Sequence, residues 1–86
     1  MARYKFVITN TAQRDLKRIA ALQRQRIGQN LQYFTSTDDP LKFAVQLTGV
    51  KPPVYRFRVG KYRVFFDVKK DTLWILSVSL RDKASL

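Results

Sequence analysis

The sequence predicts a small α+β domain with the order β-α-α-β-β-β, in which a two-helix hairpin packs on one face of a mainly antiparallel, four-stranded sheet. Three observations predict this class. Apolar residues repeat with helical spacing in the first half of the chain, they alternate with polar residues in the second half, and a Gly-Lys pair divides the alternating segment. At 86 residues, the chain is expected to form one domain over residues 1–86.

The N-terminal half predicts one strand and two helices. Residues 4–9 alternate apolar and less apolar side chains, which is typical of a strand, and Asn10 or Thr11 is the expected helix cap. One helix covering both apolar stripes would measure about 36 Å, too long for so small a domain, so we expect two helices that meet near residues 21–23. The stripes are Ala12, Leu16, Ile19 and Ala20 in the first helix and Ile27, Leu31 and Phe34 in the second. The basic residues between them, Arg14, Lys17, Arg18, Arg24 and Arg26, are expected to face water.

The C-terminal half predicts a three-stranded meander. Strand-like alternation resumes after Pro52 and Pro53, and Gly precedes Lys at the first tight turn, as a type II′ turn prefers. In chain order we predict a turn at residues 35–40, a connector with a helical turn at 41–49, strands at 54–59, 62–68 and 72–80, and turns at Gly60-Lys61 and 69–71.

The first hairpin places a row of arginines on one face. A turn at Gly60-Lys61 sets Arg58 directly opposite Arg63, with Arg56 next along the same side. The alternate residues are apolar and should pack under the helices, so the arginines lie on the open face, the sheet surface that the helices leave uncovered. The apolar set is Tyr55, Phe57, Val59, Tyr62, Val64 and Phe66.

The last strand is expected to follow the same alternation. Its more apolar set is Trp74, Leu76, Val78 and Leu80, which we assign to the core face, with Trp74 as a core anchor. The complementary set then shares the open face with the arginines and comprises Ser77, Ser79 and Arg81. This register requires an odd number of loop residues, such as 69–71.

The composition excludes several classes of chemistry. The chain has no cysteine and no histidine, and all six acids are aspartates, which excludes disulfide scaffolds, Ser-His-Asp triads, paired-Glu glycosidase sites and His- or Cys-based metal sites. We predict neither a metal nor an organic cofactor. No apolar run reaches the roughly 20 residues of a membrane span and none resembles a signal peptide, so we expect a cytoplasmic protein without membrane association.

The charge of the chain points to an anionic partner. Seventeen Lys and Arg against six acids give a net charge of +11, which fits nucleic acid, an acidic protein or a membrane surface. Guanidinium groups bind phosphate bidentately and stay charged at neutral pH, so an arginine row suits a phosphodiester, although exposed arginines also serve solubility. The candidate phosphate-binding residues are Arg56, Arg58, Arg63 and Arg81, and the candidate residues for further nucleic-acid contacts are Lys51, Lys61 and Lys83.

The hairpin carries a family resemblance. Residues 55–66, YRFRVGKYRVFF, followed by residues 75–81, ILSVSLR, resemble the RelE/ParE superfamily of toxins from bacterial and archaeal toxin-antitoxin pairs. The resemblance implies a ribosome-dependent endoribonuclease that cuts mRNA in the A site through attack of the 2′-hydroxyl on the adjacent phosphate. It also implies a cognate acidic antitoxin and contacts to the ribosome, its rRNA and mRNA as partners.

The resemblance assigns roles residue by residue. Arg56 and Arg58 fall on a basic pair that orients or helps to deprotonate the 2′-hydroxyl, Arg63 falls on the arginine that holds the scissile phosphate, and Arg81 falls on the arginine that stabilises the transition state or protonates the leaving oxygen. Relatives usually carry a tyrosine beyond that last arginine, and residues 82–86 contain none. Two alternatives stay open: a ParE-like inhibitor of DNA gyrase, and a non-catalytic RNA-binding module.

Overall fold

The computed structural model describes residues 4–80 and has two helices against one sheet. In chain order the elements are strand β1 (Lys5–Ile8), helix α1 (Asn10–Lys17), helix α2 (Ala21–Ser36), a 3-10 helix (Pro40–Phe43) and strands β2 (Ala44–Gln46), β3 (Tyr55–Val59), β4 (Tyr62–Lys69) and β5 (Thr72–Leu80). The predicted α+β class and the predicted helical turn in the connector are therefore confirmed.

The sheet has five strands within the described residues, where four were predicted. Its order is β1-β5-β4-β3-β2; β1 runs parallel to β5, and all other neighbours are antiparallel. The additional strand, β2, lies in the predicted connector and pairs with β3, Val45 lying opposite Arg56. At three residues β2 is too short to show an alternating pattern, so its backbone pairing and not its sequence defines it.

The cap of α1 differs from the prediction. Thr9, not Asn10 or Thr11, is the N-cap: its Oγ1 accepts a hydrogen bond from the Ala12 amide at 3.3 Å. The same hydroxyl donates to the Ile75 carbonyl at 2.7 Å. The backbone of Thr9 is extended, as is usual for an N-cap, so this single residue connects the end of β1 to the start of α1.

The two helices are separated by residues 18–20, slightly before the predicted junction. No Gly or Pro marks this break. The Arg24 guanidinium instead reaches back and donates to the Leu16 carbonyl at 3.0 Å and the Ile19 carbonyl at 3.3 Å. The Leu16 carbonyl lies in the last turn of α1 and the Ile19 carbonyl lies in the linker that follows, where intrahelical donors run out. Arg24 therefore serves as a side-chain cap, and the prediction that it only faces water is wrong.

The core lies between the helices and one face of the sheet. Three aromatic rings connect α2 to the sheet centre: Phe34 lies 4.4 Å from Phe57, and Phe57 lies 4.3 Å from Phe66, between ring centroids. Such contacts add to the burial energy of the rings. The buried hydrophobic residues are Ala12, Ile27, Leu31, Phe34, Phe57, Val59, Val64, Phe66, Leu73, Ile75 and Val78.

The predicted core face of β5 is only half right. Leu73, Ile75 and Val78 are buried, whereas Trp74 is half-buried and lies opposite Asp67 on the open face. The turn between β4 and β5 has two residues, not the predicted odd number. A one-residue bulge at Leu76 then reverses the alternation part-way along β5. Trp74 is therefore not a core anchor, while the predicted core position of Val78 is confirmed.

Within the described residues, neither helix combines the length and the hydrophobicity that a bilayer crossing needs.

Candidate nucleic-acid interface

The β3–β4 hairpin presents an arginine cluster, which we define as Arg56, Arg58 and Arg63. Backbone pairing places Arg58 directly opposite Arg63, as predicted. Gly60 takes φ = 58° at the first turn position, the positive φ that a type II′ turn requires there. Because Phe57 and Val59 alternate with the arginines and are buried in the core, the arginine cluster points to the open face.

The arginine cluster brings like charges together. Arg58 is exposed and Arg63 half-buried, and side chains directly opposite on antiparallel strands lie about 5 Å apart at their Cβ atoms. The Nε of Arg63 is inaccessible to solvent and has no hydrogen-bond partner within residues 4–80. A buried donor without an acceptor costs free energy, so this placement of Arg63 lowers the stability of the fold.

Hydroxyl groups and an aromatic ring border the arginine cluster. Ser79 lies opposite Arg63 and Ser77 lies opposite Phe65, which confirms the prediction that both serines share the open face. Phe65 is half-buried and pairs with Arg56 on its other side. Serine hydroxyls donate hydrogen bonds and aromatic rings stack on nucleobases, so this border is chemically compatible with single-stranded nucleic acid.

The other end of the open face carries a carboxylate and a tryptophan. Asp67 follows Arg63 by four residues on β4, a separation of roughly 13 Å along the strand. Its Oδ1 is inaccessible to solvent and has no hydrogen-bond partner in the described part of the chain. Trp74 lies opposite it, and Val7 of β1 lies beside Trp74 with 36% of its surface exposed. The prediction from sequence missed this end because the bulge at Leu76 leaves no mark in the hydrophobic pattern.

The predicted lysines flank the arginine cluster at opposite ends of β3. Lys61 is exposed at the tip of the β3–β4 turn, next to the Arg58–Arg63 pair. Lys51 is exposed in the loop that leads into β3, on the Tyr55 side. Arg81 and Lys83 lie outside the described residues.

The site is equipped for charge neutralisation and not for strong acid–base chemistry. Three guanidinium groups supply fixed positive charge and bidentate donors, which suit the developing charge of a phosphodiester transition state. The chain contains no histidine, glutamate or cysteine. Among the described residues, no three acidic side chains group together as metal ligands.

A family model supplies the identification. The model described as the ParE toxin of type II toxin-antitoxin systems, parDE, matches residues 6–84. The chain belongs to this ParE toxin family. The match includes the whole hairpin, the arginine cluster and Arg81. Among curated protein sequences, none matches this ParE-family chain at a significant level.

Solved structures of RelE toxins share the fold of the ParE-family chain. The RelBE2 toxin–antitoxin complex of Mycobacterium tuberculosis matches with a TM-score of 0.81 and 25% identity, over 92% of this chain and 99% of the other. The RelE–RelB complex of Pyrococcus horikoshii matches with a TM-score of 0.73 and 23% identity, over 92% and 96%. A mutant of Escherichia coli RelE in the free state matches with a TM-score of 0.73 and 17% identity, over 99% and 90%. The resemblance to the RelE/ParE superfamily inferred from the hairpin is thus confirmed.

Proposed function

We propose that this toxin of a type II toxin-antitoxin system is a ribosome-dependent endoribonuclease that cleaves mRNA in the A site and so inhibits translation. The observation that carries the proposal is the direct pairing of Arg58 with Arg63 on the open face, with Arg56 beside them. Selection for stability alone disfavours like charges at paired positions, so their presence supports a role in binding a polyanion.

The proposed reaction is an internal transesterification. The 2′-oxygen of a ribose forms a bond to the adjacent phosphorus as the bond from phosphorus to the 5′-oxygen breaks. The 2′-hydroxyl loses a proton, the leaving 5′-oxygen gains one, and the products carry a 2′,3′-cyclic phosphate and a 5′-hydroxyl. The cleavage requires neither metal nor organic cofactor.

The arginines divide the work of this reaction. Arg63 holds the scissile phosphate through its guanidinium group, while Arg56 and Arg58 orient the 2′-hydroxyl. Arg81 neutralises charge on the leaving side, and Lys51, Lys61 and Lys83 contact the RNA backbone. Preorganised positive charge usually lowers the barrier of such reactions more than proton transfer does, since general acid–base catalysis typically contributes about 10²- to 10⁴-fold.

The proposed partners follow from the charge. We expect an acidic antitoxin to cover the arginine cluster and its flanking lysines, with an affinity that falls as salt rises, and the ribosome, through its rRNA and the bound mRNA, to be the second anionic partner of the same residues. The RelE relatives from Mycobacterium tuberculosis and Pyrococcus horikoshii were each solved with an antitoxin, which supports this partner. A cytoplasmic location accompanies these partners.

Inhibition of DNA gyrase is the second candidate function. The family model that matches residues 6–84 is named for ParE, which favours this alternative, whereas the structural neighbours are named for RelE. A non-catalytic RNA-binding module is the third candidate, because guanidinium is a poor general base.

One pair of assays separates the three functions. The purified chain is added to ribosomes programmed with a defined mRNA, and primer extension with end-group analysis maps new 5′-hydroxyl ends; in parallel, gyrase supercoiling is measured at the same toxin concentration. We expect A-site cleavage and normal supercoiling. Blocked supercoiling without cleavage would establish the gyrase function, and RNA binding with neither effect would leave the binding module.

A further inference from the structure

Strand β5 changes register next to the arginine cluster. From Thr72 to Ile75 it is flanked by β1 on one side and β4 on the other. Beyond Ile75, β1 has ended, and the pairing with β4 skips Leu76: Phe66 pairs with Ile75, and Phe65 pairs with Ser77. The bulged residue therefore lies where β5 loses its neighbour strand.

This bulge decides which side chains join the arginines. The two-residue turn pairs Lys69 with Thr72, and the same register continued without an extra residue would pair Arg63 with Val78. A shift of one residue turns every following side chain to the opposite face. Without the bulge, Ser79 would point into the core and Val78 would lie on the open face.

Helix α1 and its cap hold the bulge on both sides. Before it, the Thr9 amide and the Thr9 hydroxyl both donate to the Ile75 carbonyl, at 3.1 and 2.7 Å. After it, Oδ2 of Asp15 accepts a hydrogen bond from the Val78 amide at 2.9 Å. Asp15 is half-buried and stands in for the missing strand, accepting from an amide that β1 is too short to reach.

The surroundings of Asp15 support a specific role. Its side chain borders a cleft of about 280 Å³ that is also lined by Arg18, Tyr62 and Ser79. A charged acceptor forms the stronger class of hydrogen bond, so one carboxylate can fix the backbone at Val78. Ser79, the next residue, is the cross-strand partner of Arg63.

We propose that Asp15 is a positioning residue, which acts through the Val78 amide to fix the register that sets Ser79 against Arg63. This inference rests on the proposed nuclease function for its catalytic consequence, but its structural consequence is independent of that function. The residue acts through backbone geometry and does not contact the RNA.

The test compares three variants with the wild type. Asp15→Ala removes the acceptor, Asp15→Asn keeps an acceptor oxygen without the charge, and Asp39→Ala is the matched control, because it removes the same charge from an exposed aspartate. NMR measures amide exchange at Val78 and the proton contact between Arg63 and Ser79. Steady-state cleavage of mRNA on programmed ribosomes measures kcat and KM.

We expect Asp15→Ala to speed Val78 exchange and to lower kcat, each about tenfold, while KM stays within about twofold. Asp15→Asn should restore most of the Val78 protection and most of kcat, and Asp39→Ala should match the wild type in both. Unchanged exchange at Val78 in Asp15→Ala, or faster exchange with unchanged kcat, overturns the proposal. If the wild type cleaves no RNA, the proposed nuclease function is wrong, and the positioning role is then tested by the Arg63–Ser79 contact alone. Loss of that contact in Asp15→Ala would support the positioning role, and its retention would overturn it.

If Asp15→Ala fails to fold, the hydrogen bond between Asp15 and Val78 can still be observed directly in the wild type by NMR. A scalar coupling across the hydrogen bond, between the Val78 amide nitrogen and the Asp15 carboxyl carbon, is expected. Its absence in the folded protein would also overturn the proposal.

Discussion

Arg58 and Arg63 lie directly opposite each other on the open face of the sheet, so the hairpin at the centre of this toxin pairs two positive charges across adjacent strands. This relationship links stability to function. Repulsion between the two guanidinium groups opposes folding, and the same two groups converge on the space where an anion would bind.

Removing one member of the pair should stabilise the fold. For Arg58→Gln we expect the free energy of unfolding in low salt to rise by up to about 1 kcal/mol, and this gain to disappear in high salt as the repulsion is screened. Urea denaturation followed by circular dichroism measures it. Arg26→Gln on the exposed side of α2 removes the same charge and is the control; an equal gain in both variants would attribute the effect to net charge instead of the pair.

Loss of the Arg24 cap should destabilise the helical hairpin. Arg24→Ala removes one hydrogen bond to the last turn of α1 and one to the linker after it, and we expect the free energy of unfolding to fall by about 1 to 2 kcal/mol. Arg26→Ala, two residues away and exposed, should change it by less than about 0.5 kcal/mol. Equal effects of the two substitutions would show that Arg24 does not cap α1.

Neighbouring residues of β5 should differ sharply in their tolerance to truncation. Ile75 is fully buried, so Ile75→Ala should cost about 2 to 5 kcal/mol, whereas Trp74→Ala removes a half-buried ring from the open face and should cost less, about 1 to 2 kcal/mol. Chemical denaturation of both variants tests this. A larger loss for Trp74→Ala would return Trp74 to the core and contradict the bulge at Leu76.

The salt dependence of RNA binding should decrease when an arginine of the cluster is removed. Trp74 is the only tryptophan, so its fluorescence can follow titration with a single-stranded RNA oligonucleotide. The slope of log K against log salt should decrease in magnitude by about 0.7 in Arg58→Ala, as for one lost phosphate contact. Arg26→Ala should retain the wild-type slope. An unchanged slope in Arg58→Ala would place the RNA elsewhere.

The sequence pattern around the β3–β4 turn was enough to predict the arginine cluster. The register of the β3–β4 hairpin follows from Gly60-Lys61 and an unbroken alternation, so the placement of Arg56, Arg58 and Arg63 was predictable. The helical stripes likewise named core residues of α2.

The wrong predictions concern places where distant backbone groups decide the structure. Strand β2 exists because Val45 finds a partner at Arg56, and the bulge at Leu76 forms beside the end of β1, held by Thr9 and Asp15. Neither arrangement has a local sequence pattern. Trp74 was placed on the wrong face for this reason, because a prediction from alternation assumes that the strand continues without a bulge.

Single-turnover cleavage of mRNA on programmed ribosomes, compared between the wild type, Arg63→Ala and Arg26→Ala, tests the proposed nuclease site most directly. We expect Arg63→Ala to slow cleavage by about 10²-fold or more, as for loss of a preorganised donor to the scissile phosphate, while its fold and thermal stability are kept and Arg26→Ala cleaves at the wild-type rate. A folded Arg63→Ala variant that cleaves as fast as the wild type would contradict the assignment of the arginine cluster as the phosphate-binding site.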